Sequence, residues 1–392
     1  MRDLLIDVTR LLARFMAGRL PTGVDRVGLA YVAHYGHRAR AVVRWGGQGF
    51  ELSPNASERL FRRLLCPTER CARGTRAIVA GGIRAALGRP GRPGRLLINT
   101  GHSGLEHPGY ARILAQQRGN LLFLIHDLVP VSHPEYCRPG EGQRHRTRVD
   151  NMLSLASGIV TNSEATLADL RAYAADTGRS LPPVVAALLA SGLRAIEPGP
   201  RPVEGPYFVI LSTIEPRKNH WLLLHVWRHI VEDLGAAAPR LVVIGQRGWE
   251  CENVVDMLER CEPLQGVVIE HSGCSDEELV TYLHHAQALL FPSFAEGYGM
   301  PLVEALSLGV PVIASDLPVF EEIAGDVPVY IDPLDGRRWR EVIEAYSSPG
   351  SAARAAQRER IKRFEVPAWA SHFAKVDAFI EQIRTPSSRG AR

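Results

Sequence analysis

Short apolar runs bounded by turn residues recur down the whole chain, and the segments between them carry apolar residues at helical spacing. The first half shows LLIDV (4–8), AVVRW (41–45), LLINT (96–100), LLFLIHD (121–127) and GIVTNS (158–163). The second shows YFVILST (207–213), LVVIGQ (241–246), VVIEHS (267–272), ALLFPS (288–293), VPVIAS (310–315) and PVYIDP (328–333). Continuous rather than alternating apolar runs are the mark of strands covered on both faces. With helical stretches between them, such as 219–234, 276–286 and 317–324, they predict βαβ units and parallel sheets. Between the two series lies EPGPRPVEGP (197–206), whose prolines fix φ and remove backbone donors, so it continues neither a helix nor a central strand. The expected architecture is therefore α/β, with one Rossmann-like domain over 1–200, a second over 201–366, and an amphipathic helix at 367–385. Two such domains facing each other leave a cleft beyond the carboxyl ends of their strands, where ligands of open α/β sheets bind. Residues 76–95, rich in Arg, Gly and Pro, read as a mobile insertion, and 386–392 as a frayed tail.

Composition excludes several classes. At 392 residues, with 45% apolar and 22% charged side chains, the chain is neither disordered nor fibrous. No apolar run approaches the roughly 20 residues that span a bilayer, and MRDLLIDVTRLL has charges inside its apolar stretch, so a cytoplasmic location is expected. The six cysteines show no Cys-x-x-Cys spacing and no His pair beside them, so no metal site is expected. The net charge of +4 conceals an asymmetry. Residues 1–195 hold 27 Arg against 14 acids, a balance of +13, and residues 196–392 hold 19 basic against 28 acidic side chains, a balance of −9. A cationic first half suits a phosphorylated substrate or an anionic lipid surface. No motif with interleaved aromatics reads nucleic acid, so no nucleic-acid partner is expected.

Four stretches hold candidate chemistry. In FPSFAEGYGMPLVEALSLG (291–309), a strand turns through glycines into a helix opened by Pro301. Gly297 and Gly299 let backbone approach a ligand, and the helix amides that follow suit an anion such as phosphate. Glu296 and Glu304 then flank the opening; the plainer alternative is an acid at a helix start and a solvated helix residue. In STIEPRKNHW (212–221), Arg217 and Lys218 end a strand just before a helix that Asn219 can cap. Lys218 is one of only three lysines, and an Arg fork beside a Lys point charge suits a diphosphate. In LLFLIHDLVPVSHPEY (121–136), His126 and Asp127 end a strand; they read equally as a sugar contact, a general base or a satisfied structural pair. In AGRLPTGVDRVGLAYV (17–32), Thr22, Gly23 and Arg26 are candidate phosphate or acceptor contacts, with a plain turn as the alternative. Neither a Gly-x-Gly-x-x-Gly nor a Walker-type motif occurs, which weakens dehydrogenase and NTPase readings.

Together these stretches resemble the retaining glycosyltransferases of family 4. The E-x7-E pattern from Glu296 to Glu304 carries the resemblance, supported by EPRKN at 215–219 and HD at 126–127. The resemblance implies a GT-B fold with a deep cleft between two facing domains, and a last helix that crosses back onto the N-terminal domain. It implies that Arg217 and Lys218 hold the donor diphosphate and that Glu296 bonds the transferred sugar. Gly297, Tyr298, Gly299 and Met300 would lend backbone contacts, Glu304 would bind the ribose, and His126 would line the donor-sugar pocket. It implies no cofactor and no bound metal, only a nucleotide-sugar substrate, with GDP-mannose expected and a UDP-sugar as the alternative. Among family members, EPRKNH and HDLVPVSHPEY are most similar to bacterial transferases that build surface polysaccharides. The acceptor is then a glycan or a lipid-linked glycan, and peripheral docking on anionic membrane is expected. The first loop departs from the family pattern, reading PTGVDRV where many members have two adjacent glycines. An epimerase, a phosphorylase or a catalytically silent binding module of the same architecture are the competing classes.

Overall fold

The computed structural model describes residues 3–46, 48–66, 69–87, 94–110, 114, 120–193, 196–348 and 350–384. The chain divides into two compact units, one of Met1–Val131, Pro139–Leu189 and Ala368–Arg392, the other of Ser132–Arg138 and Ala190–Pro367.

The first unit is built on a seven-stranded sheet. Its strands are β1 (Leu4–Asp7), β2 (Ala39–Trp45), β3 (Gln48–Glu51), β4 (Leu96–Asn99), β5 (Leu121–Ile125), β6 (Gly158–Thr161) and β7 (Val184–Ala186), in the order β3-β2-β1-β4-β5-β6-β7. All pairs are parallel except β2 with β3, an antiparallel edge hairpin. The second unit holds β8 (Tyr207–Leu211), β9 (Arg240–Ile244), β10 (Val268–His271), β11 (Leu289–Phe291), β12 (Val312–Ser315) and β13 (Val329–Ile331), all parallel, in the order β10-β9-β8-β11-β12-β13. That is the doubly wound 3-2-1-4-5-6 order, whose winding reverses between β8 and β11. In the first unit the reversal lies between β1 and β4.

All eleven expected strands are present, because each central strand is covered on both faces and its apolar run is continuous. β4, β5 and β12 are buried at every residue. The core of the second unit gathers Phe208, Trp227, Leu290 and Trp339 between its sheet and the helices His220–Leu234 and Gly336–Ser347. The expectation of a mobile insertion at 76–95 is corrected: Glu69–Ala86 is one helix, with Thr75, Ile78 and Gly82 buried at helical spacing and Ile83 buried beside them, and residues 88–93 lie outside the described residues, as does the expected tail at 386–392.

The expected terminal helix spans Trp369–Arg384 and packs on the first unit against β6 and β7. Its anchor is His372, whose Nδ1–H donates to the Ala187 carbonyl at 3.1 Å while Nε2 accepts from the Tyr31 hydroxyl at 3.0 Å. The neutral ring makes both bonds in this sense, and burial pushes the His372 pKa down to about 4. Asp377 accepts from the Tyr35 hydroxyl at 3.0 Å, and Arg384 pairs with Asp3 at 2.6 Å.

Candidate functional site

In the second unit, the turn after β8 and the turn after β11 leave neighbouring strands at the point where the winding reverses, so their side chains converge. Pro216–Lys218 forms a single 3-10 turn, and the Phe294 amide donates to the Arg217 carbonyl at 2.9 Å, which ties the two turns together. Glu296 accepts from Arg217 Nη1 at 2.8 Å, Lys218 Nζ at 2.5 Å and Ser293 Oγ at 2.7 Å. Arg217 also reaches Glu215 Oε1 at 2.9 Å and the Ala295 carbonyl at 2.6 Å. The structure thus brings together Arg217, Lys218 and Glu296, and it places all three in ion pairs rather than pointing separately to open space.

The electrostatics follow from crowding two acids and two bases at the edge of a core. Burial alone would raise the Glu296 pKa, but Arg217 and then Lys218 hold it down to about 2. Glu215 moves the other way, because its burial outweighs the neighbouring cations. Lys218 is lowered, first by burial and then by Arg217, despite its acidic partners. The Lys218 ammonium also lies 5.5 Å from the centre of the Phe291 ring.

The glycine turn has a packing reason as well as room for a ligand. Gly299 caps the helix Met300–Ser307 at φ +113, and a Cβ there would meet the Phe320 ring at 2.7 Å. Pro301 is the second residue of that helix rather than the first, and Tyr298 is buried. Gly299→Ala is expected to cost about 1–3 kcal/mol, since the left-handed backbone and the clash add. A urea melt within experimental error of the parent would refute this.

Glu304 is only 4% exposed, which removes the reading of it as a solvated helix residue. Asn219 does stand at the cap position of His220–Leu234, but it makes no side-chain cap; its amide donates to the Pro333 carbonyl at 2.8 Å. The expected capping is thereby corrected: at φ +55 the residue turns its side chain toward the loop before Gly336–Ser347.

Glu215 and Ser293, which share this network, were not expected as site residues; Glu215 did lie inside the quoted EPRKN. A further contributor is the segment Ser132–Arg138, which belongs to the second unit. Its Tyr136 stacks on Phe294, with ring centres 5.5 Å apart and planes 6° from parallel, and its Arg138 covers Trp249 at 5.1 Å.

In the first unit, Thr22 caps the helix Gly23–Tyr35 through a capping box with Asp25: the Thr22 amide and hydroxyl donate to Asp25 Oδ2 at 2.8 and 2.6 Å. Asp25 is buried and held also by Arg10 at 2.9 Å and Arg14 at 2.6 Å. Gly23 is the first residue of that helix. His126 follows β5, and its Nε2–H donates to the Thr100 carbonyl at 2.7 Å, leaving Nδ1 as an acceptor. Burial lowers its pKa, and Arg10 and Asp25 are close enough to act on it. Thr22 and His126 therefore border one charged neighbourhood at the carboxyl ends of β1 and β5. The His126 carbonyl accepts from Asn162 Nδ2 at 2.8 Å. Asp127 accepts from the Val129 amide at 3.2 Å rather than from the His126 ring, which disfavours a His-Asp base pair.

One group of metal-type donors lies away from these residues. His271, Cys274 and Glu278 each offer a ligand atom within 4.8 Å of the others. Glu278 is already engaged, accepting from the Ser275 amide at 2.7 Å in the capping box of Asp276–His285, and the positive end of that helix opposes a cation.

Comparison with known proteins shows what the chain is similar to. The family described as Glycosyl transferases group 1 matches residues 194–357. The serotype-specific mannosyltransferase WbdA of Escherichia coli is 28% identical over 52% of this chain and 26% of its own length. The O-antigen chain mannosyltransferase RfbU of Salmonella typhimurium is 40% identical over 35% of this chain and 37% of its own. The chain thus spans between a quarter and two fifths of the length of these relatives. Among solved structures, a sucrose-phosphate synthase from Thermosynechococcus elongatus superposes with a TM-score of 0.65 at 15% identity, covering 99% of this chain and 100% of that one. HepE of Anabaena, in complex with UDP and glucose, does so with a TM-score of 0.65 at 16% identity, covering 96% and 100%. Residues 194–357 thus match the family described as Glycosyl transferases group 1, within a chain of GT-B fold.

Proposed function

We propose that this chain is a retaining hexosyltransferase that moves mannose from GDP-mannose to a glycan or lipid-linked glycan during the synthesis of a bacterial surface polysaccharide. The observation that carries the reading is the convergence of Arg217 and Lys218 on Glu296 where the second sheet reverses its winding. A donor diphosphate is a stronger anion than one carboxylate. On binding it takes over the two cations from Glu296, and the released carboxylate is left to accept hydroxyls of the sugar. Glu304, on the helix Met300–Ser307 that follows the turn, binds the ribose, and Gly297, Tyr298, Gly299 and Met300 supply backbone contacts. His126 presents Nδ1 to the donor sugar, and Thr22 and Gly23 contact phosphate or acceptor.

In the transfer itself, the acceptor oxygen bonds to the anomeric carbon as the bond to the diphosphate breaks on the same face. The acceptor proton passes to the leaving phosphate oxygen. Arg217 and Lys218 balance the charge that develops there, which is work a divalent ion would otherwise do, so transfer without a metal belongs to the proposal. The names of WbdA and RfbU support mannose as the sugar, whereas the UDP in the HepE complex favours a UDP-sugar as the second reading. We place the enzyme in the cytoplasm, docked on anionic membrane through its cationic first half; no described helix is long and apolar enough to cross a membrane.

Thermal unfolding with GDP, GDP-mannose, UDP and UDP-glucose, each with and without EDTA, tests the donor. A ligand at 100 times its dissociation constant stabilises by about 2.7 kcal/mol. The guanine compounds are expected to raise the midpoint regardless of EDTA. A shift with the uracil compounds alone would transfer the proposal to a UDP-sugar, and a shift abolished by EDTA would remove its metal-free part. The anomeric configuration of the product, read by NMR, decides retention.

A further inference from the structure

The first unit carries a groove that none of the residues above uses. It lies between the helix Thr9–Met16, the end of β2 and the helix Glu69–Ala86, and it encloses about 450 Å³, within the range of roughly 300–1,000 Å³ seen for small-molecule sites. Leu12 and Met16 form one wall, Val79 and Ile83 the other, and Val43 the floor. At its rim stand Trp45 and Leu87, 72% and 60% exposed, the most exposed large apolar side chains described in this unit. Three arginines border it and no acid does. Arg44 is committed to Asp7 at 3.0 Å and to Ser103 at 2.9 Å. Arg76 and Arg84 are exposed on one helix and form no ion pair among the described residues.

An apolar trough rimmed by an indole and two unpaired guanidiniums is complementary to a molecule with a hydrocarbon chain and an anionic head. Indole rings favour the boundary between hydrocarbon and water, and guanidinium pairs with phosphate through two parallel hydrogen bonds. We propose that this groove takes an acyl chain of an anionic bilayer phospholipid, with the lipid phosphate on Arg76 and Arg84, and so fixes where the first unit meets the membrane. The inference rests on the reading that the protein docks on anionic membrane, and it adds that docking is local and partly apolar rather than a diffuse attraction of the whole cationic half.

Flotation of the full chain with phosphatidylcholine vesicles, with and without phosphatidylglycerol, tests it. The parent is expected to float with the anionic vesicles and to keep part of that binding at high salt, because apolar insertion is not screened. Trp45→Ser with Leu87→Ser is expected to lower partition by about tenfold or more. Arg76→Ala with Arg84→Ala is expected to remove the preference for phosphatidylglycerol. Both pairs are surface exposed, so the unfolding midpoint and transfer to a water-soluble acceptor are expected to stay at parent values. If the serine pair binds like the parent and salt strips both, the groove is overturned while diffuse docking stands. If the parent floats with neither vesicle, both are overturned. If the serine pair changes the sedimenting mass of the protein instead of its lipid binding, the groove is a contact between copies and the lipid proposal fails.

Discussion

Glu296→Ala is expected to reduce sugar transfer by on the order of 10²–10³-fold, the usual loss when a site is stripped of one pre-oriented polar contact, and to destabilise the fold as well. The second effect follows from what the carboxylate does without ligand. It is the shared acceptor of Arg217, Lys218 and Ser293, with side-chain exposure of 20% and 12% for the two cations. Removing one partner of a buried pair leaves uncompensated charge that costs roughly 3–5 kcal/mol. Arg217 keeps Glu215 and some solvent, so a value near or below the lower end of that range is expected here. Glu296→Gln keeps the shape without the charge and separates the two roles. The pKa provides an internal check. Glu296 is held at about 2 in the fold against an ordinary 4.5, so its ionised form is the one the fold favours. Its contribution is present above pH 4.5 and disappears as pH falls toward 2. Urea melts of the parent and of Glu296→Gln should therefore converge as pH drops through that window. Glu215 opposes the trend: its pKa is raised, so its contribution is present below 4.5 and is lost as pH rises through the raised value. Undiminished transfer by Glu296→Ala would sink the assigned sugar contact, and parallel pH curves would sink the ion-pair account.

The contrast between what was legible and what was not runs along physical lines. Eleven strands could be read because burial on both faces writes a continuous apolar run. β3 and β7 could not: QGFE is a half-exposed edge strand, and VVA is three partly buried residues after a Leu-Pro-Pro. Residues 76–95 read as a mobile insertion because their arginines, glycines and prolines imitate a linker, although the helix Glu69–Ala86 takes in the first part of them. In the fold Gly82 is a contact surface, since a Cβ there would meet Leu52 at 2.9 Å, and the arginines lie on the outer face of a helix. At the site, Arg217, Lys218 and Glu296 were legible because each ends a readable strand. Their partnership was not, because β8 and β11 become neighbours only through the sheet order, across 78 residues of chain. Ser293 and Glu215 lie within three residues of their partners Glu296 and Arg217, but nothing in their residue type marks them as members of the network, and long separation in the chain hides Tyr136 as a neighbour of Phe294. Glu304 shows the limit from the other side: position on a helix told nothing of its burial, which depends on packing over the sheet.

The sharper test of the diphosphate assignment is to remove both cations. Arg217→Ala with Lys218→Ala is expected to lower affinity for a nucleoside diphosphate by about a thousandfold, taking hydrogen bonds to charged groups at roughly 1.5–3 kcal/mol each. The two losses should not add simply, because both side chains bond the same Glu296. In the double variant, Glu296 and Glu215 remain buried without these two cations, so their pKa values rise. Calorimetry then distinguishes roles that a fall in turnover alone would merge. If the cations hold the diphosphate, affinity collapses for the nucleoside diphosphate and barely changes for the nucleoside, whose ribose contact falls to Glu304. If the cations serve only to order Glu296 and the turn after β11, both ligands weaken together and the melting midpoint drops in proportion. Lys218→Arg adds a control, since it keeps the charge but replaces a compact ammonium with a planar fork. Partial recovery of diphosphate binding in that variant, set against none in Lys218→Ala, would show that the charge beside Glu296 is what the donor site requires.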